Sequence, residues 1–411
     1  MVRLQLQQYR SQLLTAARAF VRNNVVHLAL SETMSNAAPM LAPRLPERFH
    51  GTSLLTSLSL EACDSIDSLP DSIGELTALT AVTLISALAR LTALSLHACP
   101  GLTRLPNGVD ALAALETLDL SSCGSLKTLP ETIGGLSSLT ALDLTECHSV
   151  RRLPDSTGDL AALTTLELLD CGRLRALPNS IGNLAALRTL DLHSCASLRV
   201  LPDAIAQLPP LTALDLGGCS SLQSLPAGIR ALRQLRALGL AAMDARGLLP
   251  RFRCAAALTS LDLQAVDAAR FPAERIGALT ALRSLDLSFS QLAALPQRMC
   301  TLAALTDLDM CACARVARLP EALGELRALT ALRLMRCAAL TQLPDSVGAL
   351  RALTELNLHE CRALTRLPGS IAQLAALQRV DLGNCWALRR IPDVLARVAQ
   401  GSDIYAVVYA T

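Results

Sequence analysis

Aromatic side chains make up only 2% of this 411-residue chain, although 51% of it is hydrophobic. A single thick core of that length ordinarily uses Phe, Tyr and Trp to fill space. An interior of Leu and Ala points instead to many thin, similar layers. Lysine is nearly absent: Lys127 is the one lysine among 37 basic residues, and the rest are Arg. With the abundant Ala, that bias suits a GC-rich, bacterial coding sequence, and it also makes the chain a poor ubiquitin acceptor. The formal net charge is only +2, which excludes a global pull toward nucleic acid or an anionic membrane. No apolar run reaches the roughly 20 residues needed to span a bilayer. Residues 1–24, with Gln and Arg throughout, do not read as a secretory signal peptide. Fourteen cysteines in such a chain are read as free thiols of a reducing compartment. The signatures G-x-x-x-x-G-K-[ST], G-x-S-x-G, H-E-x-x-H and C-x-x-C are all missing, and the six histidines are scattered. No catalytic centre, metal site or cofactor is expected.

What is present is a beat. The phrase "LTALDL" and its variants begin at Leu55, Leu79, Leu91, Leu115, Leu139, Leu163, Leu187, Leu211, Leu235, Leu258, Leu282, Leu305, Leu329, Leu353 and Leu377, mostly 24 residues apart. The full unit reads L-x-x-L-x-L-x-x-C-x-x-L-x-x-L-P-x-x-I-G-x-L-x-x. In "LDL" the two leucines share one face of a short strand and the Asp takes the other. Each buried Leu is worth roughly 1.5–3 kcal/mol, gained only when neighbouring coils cover it, so the ends need caps. Pro at a fixed beat marks a turn outside the strand ladder. The ninth position holds Cys63, Cys99, Cys123, Cys147, Cys171, Cys195, Cys219, Cys313, Cys337, Cys361 and Cys385. Metal binding needs clustered ligands, whereas these come one per coil. A small, buried, weakly hydrogen-bonding thiol is the structural reading.

From Leu55 to about Pro392 this wording resembles the plant-intracellular type of leucine-rich repeat. That type occurs in plant resistance receptors and in leucine-rich-repeat effectors injected by plant-associated bacteria through type III secretion. The resemblance implies an α/β leucine-rich-repeat solenoid, or horseshoe, with a parallel concave β-sheet and irregular or 3-10 convex turns. It also implies that Cys99, Cys123, Cys147, Cys171, Cys195, Cys219, Cys337 and Cys361 form an inward ladder bridging loop backbones. A protein partner would bind on the concave sheet.

The expected boundaries are an amphipathic capping helix over 1–24, a degenerate first coil over 25–54, the solenoid of about 15 units over 55–398, and a capping strand over 399–411. The helix over 1–24 reads alternatively as a translocation signal or a partner-binding helix. A half-unit at 79–90 is expected to keep its strand and drop the arc that follows. Coils across 235–304 lack the ladder Cys and hold Met243, Val266 and Ser290 near its place. Phe252, Phe271 and Phe289 also fall there, with Arg246, Arg251 and Arg253 nearby, which fits either a partner hot spot or drift. No attached ligase, kinase or nucleotide-binding domain is expected.

The fifth position carries Asp119, Asp143, Glu167, Asp191, Asp215, Asp262, Asp286 and Asp309. Stacked at strand spacing these form an acidic stripe, each neighbouring pair repelling by roughly 1 kcal/mol in water. One reading is a groove selecting a basic partner segment; the other is common repeat wording with solvated Asp. The variable seventh position includes His97, His193 and His359, which with Phe289 complete the candidate partner surface. A basic band precedes Leu-Pro, including Arg104, Lys127, Arg151, Arg152, Arg175, Arg199, Arg318 and Arg366. Lacking aromatics it argues little for nucleic acid and reads as a solvated face. The expectation is therefore a non-enzymatic, monomeric protein-binding module without nucleic-acid or membrane partners. It would be cytoplasmic or delivered into a host cell as a bacterial effector. The rivals are a substrate-recruiting subunit for a separate ligase or kinase and, more weakly, an enzyme with its site in the 241–257 coil.

Overall fold

The computed structural model describes residues 27–31, 57–61, 91–208, 210–243, 257–267 and 273–390. The expected helix over 1–24, the first coil beyond its strand, the strand over 399–411, Cys63, Cys254, Phe252, Phe271 and the three arginines at 246–253 lie outside these residues.

Two compact units divide the chain, Met1–Pro210 and Leu211–Thr411. The first holds strands β1 (His27–Ser31), β2 (Ser57–Glu61), β3 (Ala93–Ser95), β4 (Thr117–Asp119), β5 (Ala141–Asp143), β6 (Thr165–Glu167) and β7 (Thr189–Asp191). Each pairs in parallel with the next. The second holds β8 (Ala213–Asp215), β9 (Ala237–Gly239), β10 (Ser260–Asp262), β11 (Ser284–Asp286), β12 (Asp307–Asp309), β13 (Ala331–Arg333), β14 (Glu355–Asn357) and β15 (Arg379–Asp381). These too pair in chain order, all parallel. Leucine faces leucine along the ladder, as with Leu118, Leu142, Leu166 and Leu190. These central leucines are buried while the residues on either side are more exposed, as the alternation of a strand requires.

β2 pairs directly with β3, Ser57 opposite Ala93, thirty-six positions on. The expected half-unit at 79–90 lies outside the described residues.

Most described coils return through a 3-10 turn opened by proline, such as Asp155–Asp159 after Pro154 and Asn179–Asn183 after Pro178; the arc after β10 holds a short α-helix, Ala273–Ile276, instead. Pro178 is extended (φ −67°, ψ 153°), and its carbonyl accepts the Ile181 N–H at 3.1 Å. Proline supplies only an acceptor there, so its missing N–H costs nothing. Ile133, Ile181 and Ile276 of "IG" plug the core, and the Gly makes room: a Cβ at Gly182 would overlap the Ala204 carbonyl of the next coil, and one at Gly158 the Ser180 carbonyl.

Thr157 stands where the beat places Ile. It is 0% exposed, and its hydroxyl has no hydrogen-bond partner. A buried unpaired hydroxyl costs about 1–3 kcal/mol. Thr157→Val, which keeps the shape and deletes the polar atom, is expected to stabilise the protein by about that amount. A rise in the urea unfolding midpoint checks it; an unchanged or lower midpoint refutes it.

Candidate functional site

Three rows of residues determine what the exposed face of the sheet can do. The innermost is the cysteine column. All twelve described cysteines are buried free thiols. Cys147 Sγ donates to the Leu120 carbonyl at 3.2 Å, and Cys171 repeats this to Leu144 at 3.2 Å. In the second unit Cys337 and Cys361 bond Met310 and Leu334 at 3.1 Å. Each such carbonyl is also bonded within its own coil: Leu120 O accepts the Cys123 N–H at 3.2 Å. The thiol therefore ties one coil's turn to the previous coil's backbone. Ser290 takes over this bond to Leu263 at 3.4 Å, while Met243 and Val266 fill the slot with buried apolar bulk. Burial pushes the Cys147 and Cys361 thiols up to about 12 and Cys313 up to about 11. Such thiols are neither nucleophiles nor metal ligands at neutral pH.

The second row is the residue before each cysteine. Ala98, Ser122, Glu146, Asp170 and Ser194 in the first unit all have positive φ, as do Ala242, Ala265, Phe289, Ala312, Arg336, Glu360 and Asn384 in the second. This left-handed residue turns the chain out of the strand and aims its N–H at the next coil, as in Glu146 N–H to Leu169 O at 2.7 Å. Glycine or asparagine is the usual choice for such a conformation. Phe289 adopts it at φ 59° with 57% of its surface exposed. It sits on this turn at the rim of the sheet, not on a strand, flanked in the row by Ala265 and Ala312.

The third row is the acidic stripe, whose carboxylates turn out to be engaged with the backbone. Asp143 Oδ1 accepts the Thr145 N–H at 2.8 Å, and Asp119, Asp191, Asp215, Asp262, Asp286 and Asp309 do the same two residues on, at 2.7–2.9 Å. Asn357 makes the equivalent bond to the His359 N–H at 3.0 Å, so the bond needs a carbonyl-type oxygen rather than a charge. The signal was available: Asp followed two positions later by a chain reversal is an Asx turn. The acidic residues are nonetheless half-exposed and consecutive. In the first unit Asp119 lies opposite Asp143, Asp143 opposite Glu167, and Glu167 opposite Asp191. Partial burial, then Asp191 and Asp143, raise the Glu167 carboxyl above its ordinary range. In the second unit Asp262, Asp286 and Asp309 are consecutive, while Asp215 is followed by Gly239.

Of the histidines, His97 Nδ1 lies 2.7 Å from Ser121 Oγ, and that hydroxyl donates to Asp119. Serine occupies the middle of this chain, whereas a nucleophilic triad needs the imidazole between carboxylate and hydroxyl. The arrangement is a polar brace and not a catalytic set. His193 gives its backbone N–H to Asp191 at 2.7 Å. Among the described residues no group of three or more His, Cys, Asp or Glu could hold a metal ion.

Against this geometry the family comparisons can be set. Residues 240–379 match the model described as "Leucine-rich repeat region". Residues 135–234 match "Disease resistance protein RPS4B-like, leucine-rich repeats" and 114–136 match "Leucine Rich Repeat". The chain is a leucine-rich-repeat protein. A leucine-rich-repeat protein of Leptospira interrogans is similar over 94% of this chain and 97% of its own, with 25% identity and a TM-score of 0.65. An internalin of Listeria monocytogenes (inlF) covers 80% of this chain and 87% of its own, with 16% identity and a TM-score of 0.52. The leucine-rich-repeat domain of the type III effector XopL has 27% identity over 66% of this chain and 74% of its own, with a TM-score of 0.34. No curated protein matches the sequence significantly.

Sequence reasoning missed one exposed feature of this leucine-rich-repeat protein. Trp386, the one tryptophan, is 71% exposed, and the Arg362 guanidinium sits 5.0 Å from its ring centroid. Arg362 also bonds Glu360 at 3.1 Å, and His359 Nδ1 lies 3.3 Å from Asp381. In a chain so poor in aromatics, a tryptophan two positions from the left-handed turn was itself a signal.

Proposed function

We propose that this leucine-rich-repeat protein is a non-enzymatic binding module that holds a partner protein against the exposed face of its sheet, and that the partner offers a basic segment to the acidic residues of the first unit. One observation carries the reading. Asp119, Asp143 and Glu167 stand in register on consecutive strands, and no ion pair among the described residues engages them. Glu167 is already raised by burial and by its two acidic neighbours. A cationic partner would relieve that repulsion and be steered by it. The leucine-rich-repeat fold supports such interaction modules. Action as a bacterial effector inside a host cell is the finer form of the proposal; the lysine-poor, Arg- and Ala-rich composition and the likeness to the leptospiral protein support its bacterial part.

Neutralisation without unfolding tests it. Asp119→Asn, Asp143→Asn and Glu167→Gln combined remove three charges and keep the backbone bonds, since Asn357 already makes one. A short Arg/Lys-rich peptide is expected to bind the unmodified protein in a salt-dependent way and the triple variant roughly tenfold or more weakly. Equal affinity for both would remove the stripe from the proposal.

A further inference from the structure

Away from the sheet face, the turn before Leu-Pro in the first unit carries Lys127, Arg151 and Arg175 one coil apart, with Arg152 beside them. The backbone fixes this alignment: Lys127 N–H donates to Thr103 O, and Arg175 N–H to Arg151 O, each at 3.2 Å. Successive coils at about 4.8 Å therefore hold like charges side by side, a repulsion of roughly 1 kcal/mol per neighbouring pair even in water. Among the described residues no ion pair relieves it. The equivalent positions of the second unit are uncharged: Thr341 N–H donates to Ala317 O at 3.1 Å and Thr365 N–H to Thr341 O at 3.0 Å. One position further on, Gln342 separates Arg318 from Arg366, and its side-chain oxygen accepts from Arg366 at 2.7 and 3.1 Å. Only the first unit keeps its cations adjacent and unshared. They also border an open, shallow cleft of about 420 Å³, lined by Lys127, Thr128, Arg151, Arg152, Arg175 and Ala176.

We propose that this cleft is an anion site for a ligand carrying several clustered phosphates, either as a free polyphosphorylated molecule or as a lipid headgroup. Three guanidinium forks match phosphate oxygens pairwise, and the lysine adds a point charge. No aromatic ring lines the cleft on which a nucleobase could stack, so the recognition is of phosphate clusters and not of nucleic-acid sequence.

Isothermal titration of the full chain with inorganic tripolyphosphate tests the site. Binding is expected to be saturable and at least roughly tenfold tighter than that of monophosphate at equal ionic strength. Arg151→Glu with Arg175→Glu is expected to abolish it, while Arg318→Glu with Arg366→Glu leaves it unchanged. The thermal midpoint of the first variant should not fall, because a like-charge row has been broken. Should it fall, Arg151→Gln with Arg175→Gln gives the same reading with a smaller loss. Recruitment to phosphatidylinositol-bisphosphate vesicles, competed by tripolyphosphate, identifies the headgroup as the source; binding of tripolyphosphate alone identifies the free ligand. Equal affinity for mono- and tripolyphosphate, equal loss in the second-unit variant, or binding confined to long RNA would overturn the proposal. None of these variants touches the acidic sheet face, so the outcome is independent of the partner-binding reading.

Discussion

Raising the pH from 9 to 10 is expected to unfold this protein. Burial raises the thiols of Cys147, Cys171, Cys300, Cys311, Cys313, Cys337, Cys361 and Cys385 above their ordinary 9.0. For Cys171 and Cys337 the neighbouring thiols of the column add to that burial. A raised thiol pKa means the native state holds its proton more tightly than the unfolded chain does. The stability this contributes is complete below pH 9 and is lost as pH climbs toward the folded values, about 11 to 12 for Cys147, Cys300, Cys311, Cys313 and Cys361. Within that window each thiol removes about 1 kcal/mol per pH unit. Eight acting together give a slope on the order of 10 kcal/mol per unit, comparable to the whole stability of a domain. Of the other side chains, lysine is represented by Lys127 alone, arginine stays charged and there are three tyrosines. Urea unfolding at pH 8, 9 and 10 measures the slope. Cys147→Val with Cys361→Val should flatten it by roughly 2 kcal/mol per unit; Val266 shows that valine fits the slot. A stability unchanged from pH 8 to 10 would mean that the column is wet.

How much of this was legible without coordinates varies by row, for physical reasons. The leucines, the Leu-Pro turn and the cysteine column are buried by the same contacts in every coil, so their identities repeat and the period exposes them. The left-handed residue before each cysteine escaped notice because it has no compositional mark: Ala98, Ser122, Glu146, Phe289 and Arg336 share a conformation and no chemistry. The turn is imposed by the hydrogen bonds on either side, such as Ser122 N–H to Thr145 O at 2.7 Å, which outweigh the local preference. The acidic stripe was visible, but its division of labour was not. A carboxylate read as solvated is tied by one oxygen to the backbone, and that bond depends on the chain reversing two residues later.

Replacing Leu166 by alanine is expected to cost about 2–5 kcal/mol. Leu166 is 0% exposed, at the centre of β6 between Leu142 and Leu190. A coil this thin has few ways to collapse around the void: Gly158 already abuts the next coil's backbone, and the proline-opened turns fix the return path. The loss should also stay local at first. Stacked coils interact mainly with their neighbours, so hydrogen exchange should accelerate at the Leu144 amide, which bonds Glu167 O at 2.9 Å, before it does in the second unit. Thr165→Ala, one residue away on the half-exposed face, should change stability by no more than about 0.5 kcal/mol. The contrast between adjacent positions is the discriminating quantity. A layered interior held by leucine makes the alternation of the strand an alternation in energy, and similar losses at Leu166 and Thr165 would show that the sheet's two faces are not divided into core and working surface.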